Sequence, residues 1–137
     1  MQISAELLSI IVDHARREHP NECCGVIGTR GGAAVSVHPA ANIASSPLRF
    51  EVDGLELHRL LTEIEDRGDE LGAIYHSHTR SEAYPSQTDV NFAAAWPGVE
   101  WLIVGLAAGA DAEPDVRSFE ITDGRIVDVG VGVAVDG

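Results

Sequence analysis

The sequence predicts an α/β protein, a mixed β-sheet with flanking helices of the α/β or α+β kind. Two stretches repeat apolar residues at helical spacing, two pairs of strand-like segments are joined by glycine turns, and two further apolar runs stand outside any hairpin. Isolated helices mixed with hairpins exclude a strictly alternating parallel fold, in which a helix would follow each strand.

In chain order, Ser4 is placed to cap a helix over residues 5–18 with Leu8, Ile11, Val12 and Ala15 as its apolar stripe, and Pro20 ends it. Residues 23–29 (CCGVIGT) and 33–38 (AAVSVH) read as two strands about a turn at Arg30-Gly31-Gly32. A short strand over 49–52 leads to Asp53, which with Glu56 can cap a helix reaching about Arg67. Leu57, Leu60, Leu61 and Ile64 form the buried face of that helix, and Gly68 stops it. Residues 71–78 (LGAIYHSH) form a strand, and after a loop a helix runs from Ser86 to about Ala95 and is broken by Pro97. The mostly apolar run 100–106 suits a strand in the middle of the sheet. Segments 115–121 and 125–133 flank Thr122-Asp123-Gly124 as a second hairpin. Phe50, Phe92 and Phe119 are expected in the core, and Trp96, Trp101 and Tyr84 in the core or at its rim.

The 137 residues, 45% apolar, suffice for one buried core, so the whole chain 1–137 is expected to be a single domain. Nine basic residues, all arginine, stand against 22 acidic ones, a net charge of −13. That balance argues against a nucleic-acid backbone or an anionic membrane as partner. No apolar run approaches the ~20 residues that span a bilayer, and the N-terminal stretch interleaves apolar with charged residues, unlike a signal peptide. The two cysteines, Cys23 and Cys24, are neighbours and cannot staple distant segments. A cytoplasmic setting follows as the expectation. The pair reads as two small buried residues at a strand start, since zinc-binding cysteines are spaced by two to four residues.

His76 and His78 flank Ser77 at the exit of a strand, so both imidazoles project from one face and can converge on a point. Ser86 and Asp89, three apart at a helix start, share a face as well; they also form a capping-box-like pair. A carboxylate with two imidazoles supplies three protein ligands, and three plus a water is the usual catalytic zinc set. Glu22, in HPNECCG just before the first long strand, is a candidate base. His14, His19, His38 and His58 have no partner at ligand spacing and are expected to be structural or exposed.

Glu22, His76-x-His78, seven residues, Ser86, two residues and Asp89 together match the E…H-x-H-x7-S-x-x-D signature, with no ligand position substituted. On this ground the chain resembles the JAMM (MPN+) zinc metalloproteases. PNECCGVIG is similar to that family's opening strand. YHSHTRSEAYPSQTDV resembles the small bacterial branch that releases cysteine from a sulfur-carrier protein. The resemblance implies a cytidine-deaminase-like (JAB1/MPN) sheet, with zinc held by His76, His78, Asp89 and a water. It implies that Glu22 polarises the water and shuttles its proton, and that Ser86 helps stabilise the tetrahedral intermediate. The implied partner is a ubiquitin-like carrier whose C-terminal Gly-Gly is joined to cysteine. Two alternatives stand beside it: an isopeptidase removing ubiquitin-like modifiers from lysines, and a non-catalytic scaffold, which the complete ligand set disfavours. The loop 79–85 lies between the ligands, with Tyr84 placed to line a substrate channel. The sequence carries no signature of an oligomeric state.

Overall fold

In the computed structural model, which describes residues 1–134, eight strands form one sheet flanked by three helices. Strand β1 (Gln2–Ser4) runs straight into α1 (Ala5–Glu18), where the Ser4 hydroxyl accepts from Leu7 N at 3.2 Å and satisfies one of the free first-turn amides. Strands β2 (Cys24–Arg30) and β3 (Ala33–Ala40) form a hairpin whose two turn residues, Gly31 and Gly32, have φ of 60° and 81°. Positive φ at both positions is what a two-residue turn matching the strand twist requires, and glycine takes it without strain. Helix α2 (Gly54–Asp66) is capped by Asp53, as its sequence predicts, and buries Leu60 and Ile64. Strand β4 (Glu70–His78), helix α3 (Gln87–Ala93) and strand β5 (Glu100–Gly105) follow. Strands β6 (Asp115–Thr122), β7 (Arg125–Asp128) and β8 (Gly132–Ala134) complete the sheet.

The strand order is β7-β6-β5-β4-β2-β3-β1-β8. Strands β4 and β5 are parallel, β1 is parallel to both β3 and β8, and the other pairs are antiparallel. Strands β7 and β8 lie at opposite edges, yet residues 129–131 alone separate them in sequence. Four residues reach at most about 14 Å, so the sheet must curl until its edges approach. Bonds from Val129 N to Ser118 O and from Gly132 N to Met1 O tie the connection to both edges.

Alternation along the strands gives the sheet two faces. One face carries Cys24, Val26, Ile74, Trp101 and Ile103, and packs with Leu60 and Ile64 of α2 and Ala93 of α3. The other carries Cys23, Ile27, Tyr75 and Leu102, and packs with Ile11 and Ala15 of α1. The tyrosine hydroxyl is held by His14 Nδ1 at 2.7 Å, so His14 is a buried structural residue. A Cβ at Gly25 would collide with the Tyr75 ring. Gly25→Ala is therefore expected to destabilise the fold by about 1–3 kcal/mol, as overpacking does, measurable by urea denaturation; an unchanged midpoint would mean that Tyr75 moves aside freely.

The backbone elements depart from the sequence reading in four places. Residues 49–52 form no strand; Arg49 and Glu51 bond to Asn42 and Ile43 of the same loop instead of to a ladder. The segment 125–133 is not continuous, because the chain leaves β7 after Asp128, turns at Gly130 (φ 72°), and β8 joins β1 on the far edge. Helix α3 ends at Ala93 with Ala94 as its cap, before Ala95. Strand β1 has no counterpart in the sequence reading, being too short to show alternation.

Candidate metal centre

Two local features build the site. The β4 strand ends at His78, so His76 and His78 emerge from the same face at its carboxyl end, over α3. Helix α3 begins with a complete capping box: Asp89 N donates to Ser86 Oγ at 3.2 Å and Ser86 N donates to Asp89 Oδ2 at 2.9 Å. This cap fixes the carboxylate at the helix start, where it meets both imidazoles. Glu22 arrives through sheet register. Strand β2 pairs antiparallel with β4 with Cys24 opposite His76, and Cys23 N donates to Ser77 Oγ, so Glu22 falls opposite His78 on the same face.

His76 Nε2 lies 3.1 Å from His78 Nε2 and 3.1 Å from Asp89 Oδ2, and His78 Nε2 lies 3.3 Å from that same oxygen. Two ligands at about 2.0–2.1 Å from a tetrahedral zinc are about 3.3 Å apart, so the triangle has the edge length that such an ion demands. His78 Nδ1 donates to the Glu82 carbonyl at 2.8 Å, which in the neutral ring turns the Nε2 lone pair toward the centre. One proton can bridge only one edge of the triangle, whereas a cation satisfies all three atoms. All three side chains are buried and could hold a metal ion.

The electrostatics fit that donor set. Burial drives His76 below the ordinary histidine range, which keeps it neutral. Burial acts the same way on His78, but the Asp89 carboxylate and the Glu82 carbonyl outweigh it and the net shift is upward. For Asp89, burial would raise the pKa, yet hydrogen bonds from His76, His78 and the Ser86 amide hold it well below the usual carboxylate range. Glu22 is 4% exposed and its Oε1 has no hydrogen-bond partner. Burial pushes its pKa up to about 7 against the pull of His78. An unpartnered, raised carboxyl in a cleft is a candidate functional group.

A cavity of about 160 Å3 opens over this group, lined by Glu22, Arg49, Phe50, His78, Ser86 and Asp89 among others. All five residues expected at the site thus come together, with His76 beneath, its ring stacked on Phe50 at 4.8 Å. Phe92 is not a core residue: it is 42% exposed, lines the cavity and stacks on Phe50 at 5.9 Å. Tyr84 does not line the cavity either, but rests edge-on against Phe119, 46% exposed. Sequence reasoning also passed over Arg49 and Arg80 at the rim; the shortage of arginines in so acidic a chain was the available signal. Cys23 and Cys24 are free and buried, with burial pushing both thiols up to about 12.

A curled mixed sheet with a histidine–carboxylate triangle at a strand end and a helix cap defines a class of α/β protein with a cleft that could hold a metal ion. Residues 4–122 match the family described as prokaryotic homologs of the JAB domain. The chain belongs to that family and is a hydrolase of the JAB/MPN type. It is 38% identical over 133 residues to the CysO-cysteine peptidase of Mycobacterium tuberculosis, covering 96% of this chain and 89% of that one. It is 36% identical over 110 residues to the desampylase of Haloferax volcanii, covering 75% and 78% respectively. A solved protein from Desulfitobacterium hafniense superposes with a TM-score of 0.86 at 27% identity, covering 98% of this chain and 93% of that one. A JAB1/MPN domain protein from Archaeoglobus fulgidus shares the fold with a TM-score of 0.61 at 19% identity, covering 96% and 99%. Among the described residues no helix is long and apolar enough to cross a membrane.

Proposed function

We propose that the chain, acting as one JAB/MPN unit in the cytoplasm, is a zinc-dependent hydrolase. It cleaves the peptide-type bond after the C-terminal Gly-Gly of a ubiquitin-like sulfur-carrier protein and releases cysteine. The observation that carries this reading is the convergence of His76, His78 and Asp89 at ligand spacing beneath a cavity that also holds Glu22. Similarity to a CysO-cysteine peptidase along nearly the whole chain supports the substrate class. The free, buried thiols of Cys23 and Cys24 suit a reducing compartment.

In this reading His76, His78 and Asp89 hold the metal, which when bound supplies Lewis acidity toward the scissile carbonyl and activates water at neutral pH. Glu22 takes the proton from the attacking water and returns it to the leaving nitrogen. The Ser86 oxygen already accepts from the Asp89 amide, so its hydrogen is free to donate to the carbonyl oxygen as negative charge grows there. The carrier tail enters extended, and its glycines leave main-chain hydrogen bonds as the means of recognition.

Ser86→Ala is expected to lower turnover by roughly 10²-fold, as loss of one oxyanion donor does, while zinc stays bound. The same change removes a helix cap, costing about 1 kcal/mol of stability, so turnover is measured on protein shown to be folded. Unchanged turnover would remove Ser86 from the chemistry.

A second reading, release of modifiers from lysine side chains, is favoured by the similarity to a desampylase. Incubation with a carrier–cysteine adduct and, separately, with a lysine-linked carrier conjugate decides between them. Cleavage of the adduct alone is the expected result, and cleavage of the conjugate alone would overturn the cysteine reading.

A further inference from the structure

The cavity over the metal ligands carries positive charge that the steps above do not use. Arg16 donates to two carbonyls, and Arg30, Arg59, Arg67 and Arg117 pair with carboxylates. Arg17, Arg49, Arg80 and Arg125 make no side-chain hydrogen bond or ion pair among the described residues and all four are exposed; of these, Arg49 and Arg80 line the cavity with Glu22, His78, Ser86 and Asp89. They reach it from separate segments, Arg49 from the loop before α2 and Arg80 from just beyond the end of β4. Arg49 and Arg80 thus place two guanidinium groups without a carboxylate partner at the rim of the cavity.

We propose that Arg49 and Arg80 bind the α-carboxylate of the leaving amino acid, and so select a carrier joined to a single C-terminal amino acid over one joined to a lysine side chain. This rests on the hydrolase reading above and names what sets its leaving-group specificity. In a carrier–amino acid adduct the carboxylate carbon is two bonds from the scissile nitrogen, so whatever binds it must stand at the rim of the same cavity. A guanidinium fork matches a carboxylate in geometry as well as charge. In an isopeptide the scissile nitrogen sits at the end of four methylenes whose far end is part of a peptide chain. It offers the arginines no carboxylate. The arginines form and break no bond: hydrolysis puts hydroxide on the carbonyl carbon and a proton on the nitrogen, and the carboxylate stays intact.

The test compares two ligands, the carrier–cysteine adduct and the same adduct with its carboxylate capped as a primary amide. Binding is measured by calorimetry on zinc-loaded Glu22→Gln protein, and kcat/KM on the wild type. The acid is expected to bind about 10–100-fold more tightly than the amide, the range of one charge-assisted contact with a carboxylate. In Arg49→Ala/Arg80→Ala this preference should collapse to near unity with the melting temperature unchanged, and Arg80→Lys should keep part of it. Equal binding and cleavage of acid and amide by the parent proteins, or a preference that survives the double substitution, would overturn the carboxylate proposal alone. If the wild type cleaves neither adduct but does cleave a lysine-linked conjugate, the cysteine-releasing reading fails first and takes this proposal with it.

Discussion

Glu22→Gln is expected to retain its metal and to lose about 10²–10⁴-fold in turnover, the usual loss when a general base is removed. The amide is nearly isosteric and Glu22 is not among the three converging ligand residues, so metal content should match the wild type. A rate near the wild type would mean that another group takes the proton. The same variant carries a second expectation, on stability. In the metal-free protein burial raises the Glu22 pKa from 4.5 to about 7. A carboxyl raised in this way favours folding while it is protonated, below its unfolded pKa of 4.5, and that contribution is lost as pH rises through about 7. The amide has no charge to bury. Metal-free Glu22→Gln is therefore expected to melt close to wild type at pH 4 and above it at pH 8. A wild type that stays the more stable at pH 8 would show that the carboxylate finds compensation in the fold.

Asp89→Ala should cost both metal and stability, because the carboxylate has two jobs. It is the acidic member of the ligand triangle, and it accepts the Ser86 amide that closes the α3 cap. The expected loss is most of the single zinc per chain, together with about 1–3 kcal/mol for leaving buried polar groups unsatisfied. Asp89→Asn separates the two jobs, since its amide oxygen can still accept from Ser86 N while the ligand charge is gone. It should keep most of the stability and lose most of the metal. His76→Ala, which does not touch the cap, should likewise lose metal. Metal analysis of protein purified without added zinc reads all three, and undiminished zinc in both Asp89→Ala and His76→Ala would sink the ligand assignment.

Much of this molecule is written in short-range signals. Ser4 and Asp53 cap helices within three residues of themselves, and Gly31-Gly32 and Asp123-Gly124 supply the positive φ of two hairpin turns. Those features act locally, so spacing along the chain reveals them. His76, His78, Ser86 and Asp89 belong to the same category, because one strand end and one helix start orient them. The edge pairing of residues 2–4 with 132–134 lies at the other extreme: two three-residue strands far apart in sequence show no periodicity, and their partnership exists only once the sheet has curled.

The sequence alone therefore determined the mixed sheet with its flanking helices, the two major helix caps, the hairpins and the candidate ligands, since each depends on residue type at fixed spacing. Tertiary structure decided what stands around those ligands. The β2–β4 register sets Glu22 across from His78, and burial there lifts its pKa to about 7. The same fold turns Phe92 out of the core into the cavity wall, stacks Phe50 on His76, leans Tyr84 on Phe119 and brings Arg49 and Arg80 to one rim. Strand order and register bring residues distant in sequence onto one face, and neither can be read from periodicity, which reports only which side of its own strand or helix a residue takes.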